Sequence, residues 1–158
     1  MKKVLLSFFT IMLMAACTGG QESPFSYRGL SFDMPASALI DSMQARGFVV
    51  DSAASDSGRT VVFAKQAEHY RVLVGIQGDK VQAIQENYRL STNDSTRMLW
   101  QQLRDGFEKE LGAWPDCPML KDDHKVANFD ATNGFISVIL ENTHTPTLTV
   151  RYLPKDKE

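Results

Sequence analysis

Hydrophobic residues recur along the chain at two different spacings. Spacings of three and four residues predict two helices, over 35–46 and 95–111. Gly47 and Gly112 follow these segments, at the position where a left-handed residue commonly ends a helix. The second predicted helix carries an apolar stripe at four-residue intervals, formed by Leu99, Leu103, Phe107 and Leu111. Before it stand three residues whose side-chain oxygens can cap a helix: Asn93, Asp94 and Ser95.

A period of two predicts strands over much of the remaining chain. The apolar or alternating segments span 25–34, 48–50, 59–65, 70–77, 80–90, 126–132, 135–140 and 148–152. Two-residue turns are expected at Gly78-Asp79 and Asn133-Gly134. Because the apolar positions change face within 80–90, we expect a bulge near Ala83. Together these elements predict an α+β domain with a single antiparallel β-sheet of about six strands and two helices packed on one face.

The first residues differ in character from the rest of the chain. Lys2 and Lys3 precede an uncharged, mostly apolar run that is too short to span a bilayer, a pattern typical of a signal peptide. The sequence Met14-Ala15-Ala16-Cys17 resembles the lipobox of bacterial lipoproteins. That resemblance implies cleavage before Cys17 and attachment of diacylglycerol and palmitate-type chains to this cysteine. The alternative is an ordinary signal peptide in which Cys17 is incidental.

The resemblance divides the chain into three parts. Residues 1–16 form the lipoprotein signal peptide, the small and polar 17–24 form a lipidated flexible tether, and 25–158 form the single α+β domain. Each buried methylene of an acyl chain adds roughly 0.8 kcal/mol of membrane affinity, so several chains hold the domain at a bilayer. Thr18 stands where enteric lipoproteins kept in the inner membrane carry aspartate. We therefore expect the outer membrane, on its periplasmic face by default, with surface exposure as the alternative.

Charge and cysteine content narrow the possible partners. The chain has 17 Lys and Arg against 19 Asp and Glu, and loss of Lys2 and Lys3 leaves 15 basic side chains. This acidic balance argues against nucleic acid or anionic lipid as a partner. With Cys17 acylated, Cys117 is the remaining cysteine, which excludes an intramolecular disulfide in the mature chain.

The region around Cys117 holds the candidate chemistry. A Cys117–His124 pair would lower the pKa of the thiol, and Asp122 would add a carboxylate to a small hydrolase site. A metal site would draw on Asp122, Asp123, His124 and Asp130. Neither motif nor spacing supports these sites, so we assign no catalytic, cofactor or metal residue. We expect a half-buried Cys117 beside Trp114 and a solvated charged loop.

Two further positions have two interpretations each. Asp51-Ser52-Ala53 resembles the O-glycosylation acceptor of Bacteroidales, which makes Ser52 a possible glycosylation site; the alternative is ordinary turn chemistry. The same pattern recurs at Ser42 and Ser95, within or beside predicted helices. Trp100 lies one position off the apolar stripe, either at the edge of the core or in contact with a partner.

The order of elements resembles small Bacteroidales lipoproteins of unknown function. It has a more distant likeness to the β-lactamase-inhibitor-protein-like domains of outer-membrane assembly lipoproteins. We expect a non-enzymatic envelope lipoprotein that binds a protein or another ligand. The alternatives are a periplasmic hydrolase or metal-dependent enzyme using Cys117, Asp122 and His124, and an inhibitor or immunity protein. The enzyme requires these side chains to converge in a pocket, and the inhibitor requires a large apolar patch.

Overall fold

A computed structural model describes residues 25–56, 58–65, 70–118, 121, 123–142 and 145–155. The helices are α1 (Ala36–Ala45) and α2 (Asn93–Leu111). The strands are β1 (Ser26–Tyr27), β2 (Leu30–Ser31), β3 (Val49–Val50), β4 (Thr60–Lys65), β5 (Tyr70–Gln77), β6 (Lys80–Arg89), β7 (His124–Ala131), β8 (Gly134–Glu141) and β9 (Thr147–Pro154).

The expected single sheet of about six strands is wrong. The main sheet has seven antiparallel strands in the order β3-β4-β5-β6-β9-β8-β7, and β1 and β2 form a separate two-stranded sheet. The first segment pairs with itself because Arg28 and Gly29 both have positive φ, 51° and 78°, which folds the chain back within two residues. The predicted strand segment 48–50 joins the main sheet as the two-residue strand Val49–Val50.

One face of the seven-stranded sheet carries the hydrophobic core. Val72, Val138 and Val150 are fully buried on this face, and both helices contribute to the same apolar cluster. Alternate residues lie on the opposite side, which we call the open face; it includes Arg71, Asn87, Thr149 and Arg151. The open face is where polar side chains of neighbouring strands lie side by side.

Helix α2 packs differently from its predicted stripe. Trp100 is 8% exposed, and its indole N–H donates to the Val138 carbonyl over 3.0 Å, so the partner-contact interpretation is wrong. The four residues of the stripe pack only partly buried against the core. The cap is also one residue earlier than expected, since the Thr92 hydroxyl accepts from the Ser95 N–H over 3.1 Å. Gly112 ends the helix at φ 64°, as predicted.

The two predicted turns have different outcomes. Gly78-Asp79 connects β5 to β6 as predicted, and Gln82 is the extra residue of a bulge because Gly75 pairs with Ala83 but Ile76 with Val81. The second turn lies one residue earlier than predicted, at Thr132-Asn133, because Gly134 already pairs with Ala131. A Cβ on Gly134 would lie 2.5 Å from the Phe25 ring, so this glycine admits a close packing contact rather than making the turn.

Candidate functional site

The residues of the predicted chemical site are only partly described, and those that are do not form a pocket. Cys17 and Asp122 lie outside the described residues. Cys117 is exposed and Trp114 is 85% exposed, so the expected half-buried packing of the two is wrong. Within the part of the chain that the structure describes, no three His, Cys, Asp or Glu side chains lie close enough together to hold a metal ion.

The charged residues near Cys117 are instead engaged in ion pairs. The Arg97 guanidinium donates to Asp123 and to Asp94, and the Asn142 amide also donates to Asp123. These donors, chiefly Arg97, hold the pKa of Asp123 below its ordinary value. Asp123 therefore ties the start of β7 to α2.

Asp130, the other carboxylate of the predicted metal set, accepts from the Lys155 ammonium over 2.6 Å. His124 is the first residue of β7, and its backbone pairs with Lys121. The described members of the predicted metal set thus make separate contacts, along β7 and at its two ends.

Ser52 lies exposed in the connection after β3. The backbone of this connection is organised by Asp51, whose carboxylate accepts from the Ala54 N–H over 3.2 Å. Ser42 and Ser95 are engaged in helical contacts, since the Ser42 hydroxyl donates to the Ala38 carbonyl over 2.7 Å and Ser95 contacts the Thr92 hydroxyl over 2.8 Å. Glycosylation at Ser52 stays a prediction.

A buried carboxylate, Glu86, is the first feature that the sequence interpretation missed. Glu86 on β6 is 2% exposed and accepts from the Tyr27 hydroxyl over 2.7 Å and the Tyr88 hydroxyl over 2.9 Å. The Arg28 guanidinium completes the set, with Nη2 2.8 Å from Glu86 Oε1. The alternation of β6 already placed position 86 on the core face with Ile84 and Tyr88. A charged residue at an inward-facing position was the sequence signal that could have predicted this buried carboxylate.

The Glu86 cluster is suited to holding the fold rather than to chemistry. Burial and then the neighbouring Glu86 carboxylate raise the pKa values of Tyr27, Tyr88 and Tyr152, so these phenols stay protonated. The Arg28 guanidinium also lies 5.6 Å from the centroids of both the Tyr27 and Tyr70 rings. With its oxygens engaged by these donors, Glu86 fastens the β1–β2 hairpin to the main sheet.

The second missed feature is a groove on the open face, with a volume of about 820 Å³ and a lining of both polar and apolar residues. Its lining includes one row across the sheet, because Arg71 lies opposite Asn87 and Asn87 lies opposite Thr149. The next row adds Arg89 opposite Thr147. We call this surface the groove.

The floor of the groove is ordered by hydrogen bonds between side chains. The Asn87 carbonyl accepts from the Gln85 amide over 2.8 Å and from the Thr149 hydroxyl over 3.2 Å. The Arg151 guanidinium in turn donates to Gln85 over 2.9 Å. Above this network Arg71 is 61% exposed and lies 3.7 Å from Asp51 at the rim. The hydroxyl protons of Thr147 and Thr149 are already donated, to the Glu141 carbonyl and to Asn87. The groove can therefore offer guanidinium donors to a polar ligand.

The groove residues come from four strands, β4, β5, β6 and β9, of which β9 lies far from the others in sequence. Each strand shows an ordinary alternation of apolar and polar residues, with the polar ones on the solvent side. No local motif therefore marks the groove residues. The pairing of β6 with β9 brings Asn87 to Thr149, 62 positions away. Only the three-dimensional register joins them.

Comparisons with known proteins identify no relative. No protein-family model matches the chain, and searches of curated proteins and of solved structures find no match. Among the described residues, neither helix is both long enough and apolar enough to cross a membrane. The site therefore has to be interpreted from its own geometry.

Proposed function

We propose that the protein is a non-enzymatic lipoprotein of the bacterial outer membrane, anchored through Cys17, that binds a carboxylate- or phosphate-bearing ligand in the groove. The observation that carries the proposal is the presence of two arginines and an amide around one groove with an ordered floor. The ligand group can belong to an envelope protein or to another cell-envelope molecule, because the shared chemistry is the anion.

The arrangement of the arginines supports an anionic ligand. Arg71 and Arg89 are diagonal neighbours on paired strands, a placement that puts side chains about 7–8 Å apart at their base. Guanidinium groups bind carboxylates and phosphates through two parallel hydrogen bonds. Asp51 already places a carboxylate 3.7 Å from Arg71, but the pair is weak because this distance is long and Arg71 is 61% exposed. A ligand carboxylate can therefore replace Asp51 at small cost.

The enzyme alternative has less support. The hydrolase hypothesis needs Cys117 and His124 in one pocket, and neither lines the groove. The groove lining contains no histidine or cysteine among the described residues, so a nucleophile activated by a neighbouring base has no candidate there. Binding is the simpler use of this surface.

The test is a titration of the full mature protein in detergent micelles, followed by NMR, with a glutamate-rich peptide and with inorganic phosphate as probes. We expect at least one probe to shift the backbone amides of Asn87 and Thr149 in the wild-type protein. The doubly substituted Arg71→Gln/Arg89→Gln protein should lose these shifts. Arg59→Gln removes an exposed arginine from outside the groove and is the matched control.

Two results would contradict the binding proposal. One is that neither probe shifts the groove amides of the wild-type protein. The other is that the Arg71→Gln/Arg89→Gln protein responds as strongly as wild type. Either result would rule out the groove as the binding surface. The surface around the exposed Cys117 would then be the next candidate.

A further inference from the structure

An exposed apolar pair lies at the end of the sheet away from the groove. Phe135 on β8 and Leu153 on β9 are directly opposite each other on the open face and are 43% and 42% exposed. The Lys155 ammonium lies 4.8 Å from the centroid of the Phe135 ring and donates to Asp130 over 2.6 Å. We call Phe135, Leu153 and Lys155 the apolar end.

The chain that leads to the proposed anchor joins the domain at the same end of the sheet, on its core side. The Phe25 ring stacks on Phe32 with centroids 5.1 Å apart and occupies the space beside Gly134, the residue before Phe135. Eight peptide steps separate Cys17 from Phe25. Covalent geometry limits those steps to a span of about 28 Å.

The groove lies toward the opposite end of the same strands. Strand β9 runs from Thr147 in the groove to Leu153 at the apolar end, a rise of about 20 Å at 3.3 Å per residue. Because both surfaces lie on the open face, a bilayer in contact with the apolar end would leave the groove separated from that contact by this length of strand.

From this placement we propose that the apolar end rests on the lipid surface to which the chain is anchored. The proposal depends on the lipid anchor at Cys17 in the proposed function. A short tether holds the apolar end at high effective concentration near the bilayer, so a small apolar contact is enough to orient the domain. Lys155 suits this position because its hydrocarbon stem can lie among apolar groups while its ammonium stays in the headgroup layer. Since Asp130 compensates that charge, the contact is apolar rather than electrostatic.

The experiment places a fluorescent probe at defined positions of the full-length acylated protein in vesicles. Cys117→Ser removes the competing thiol, and Leu153→Cys then carries an environment-sensitive label. Glu141→Cys is the matched control, because Glu141 is exposed on the same face at the groove end of β8. Thr132→Cys labels the exposed β7–β8 turn at the apolar end, in case substitution at Leu153 disturbs folding. The vesicles consist of phosphatidylethanolamine with brominated acyl chains, with or without phosphatidylglycerol.

We expect about threefold stronger bromine quenching at Leu153 and Thr132 than at Glu141, since interfacial contacts reach the boundary of the acyl chains. Quenching should be equal in both vesicle compositions. Equal quenching at the two ends of the sheet, in protein that floats with the vesicles, overturns this inference alone. Quenching that requires phosphatidylglycerol overturns the apolar contact. Failure to float overturns the lipid anchor, and the inference with it.

Discussion

Gly134 shows how a single residue joins the start of the domain to the main sheet. Alanine at this position places a methyl group 2.5 Å from the Phe25 ring, so we expect Gly134→Ala to lower the free energy of unfolding by about 2 kcal/mol. Gly106 in α2 is the control, since a Cβ there meets nothing within 4 Å. Gly106→Ala should raise stability by about 0.5–1 kcal/mol. Urea denaturation measures both changes, and Phe25→Leu should restore part of the loss in Gly134→Ala.

Glu86 is the residue on which the N-terminal hairpin depends. Glu86→Gln removes the charge that faces the Arg28 guanidinium and turns one acceptor into a donor opposite the tyrosine hydroxyls. We expect a loss of about 3 kcal/mol because the change leaves a partly buried charge uncompensated. Glu141→Gln, on an exposed position of β8, should change stability by less than about 0.5 kcal/mol. Equal denaturation midpoints for the two variants would show that Glu86 does not hold the hairpin.

The tyrosines near Glu86 predict how stability depends on alkaline pH. Burial raises the pKa values of Tyr27, Tyr88 and Tyr152 above the value of about 10 that they have in the unfolded chain. The unfolded chain therefore loses protons first as pH rises. The contribution of these tyrosines to the free energy of unfolding is complete below about pH 10. Above that pH it decreases by about 1.4 kcal/mol per pH unit for each tyrosine. Denaturation between about pH 8 and 11 should show this decrease, with a smaller slope in Tyr27→Phe; an unchanged slope would contradict the assignment.

The Glu86 cluster was only half predictable from the sequence. Alternation in β6 places position 86 on the core face, which already marks an unusual carboxylate. Its partners Tyr27 and Arg28 lie 59 and 58 positions earlier, in a segment whose turn folds it away from the main sheet. No local pattern encodes a contact between elements that meet only through tertiary packing.

At the scale of the elements, local sequence rules predicted the two helices. They failed where contacts between elements determine the position of a turn. The predicted range for α1 exceeds the observed one by one residue at each end, and α2 ends at Leu111 as predicted. The Asn133-Gly134 turn was predicted one residue too late because Gly134 leaves room for the Phe25 ring instead of forming the turn. Hydrophobic periodicity does not reveal such a contact. Strand β3 was predicted over 48–50, and its two residues pair with the end of β4.

Trp100 provides the test of how α2 is held on the sheet. Trp100→Phe removes the N–H that donates to Val138 and leaves unfilled volume in the core, so we expect a loss of about 2 kcal/mol. Trp114→Phe changes a residue that is 85% exposed and should alter stability by less than about 0.5 kcal/mol. Urea denaturation measures the free energy of unfolding of the Trp100→Phe and Trp114→Phe proteins. The remaining tryptophan's fluorescence offers an independent check, since Trp100 should emit at shorter wavelength than Trp114. Similar stabilities would show that α2 packs without this bond.

For the whole molecule, the sequence and the geometry contribute different parts of the functional proposal. The sequence Met14-Ala15-Ala16-Cys17 is contiguous, so its resemblance to a lipobox is visible in the sequence alone, and the anchor that it implies stays a prediction. The groove draws on β4, β5, β6 and β9, and its residues become neighbours only through the strand order of the sheet. The candidate site predicted around Cys117 relied on closeness in sequence. Asp123, His124 and Asp130 instead lie along or beside one extended strand, which keeps its residues apart.

The two cysteines allow the anchor itself to be tested within one chain. Cys17→Ala should prevent acylation, so the protein should move from the detergent phase to the aqueous phase in Triton X-114 partitioning. Cys117→Ala changes an exposed thiol in the domain and should leave the protein in the detergent phase. Mass spectrometry of the wild-type N-terminus should find an acylated cysteine at position 17 with residues 1–16 removed. Detergent partitioning of Cys17→Ala equal to that of wild type would remove the anchor, and with it the proposed contact of the apolar end with the lipid.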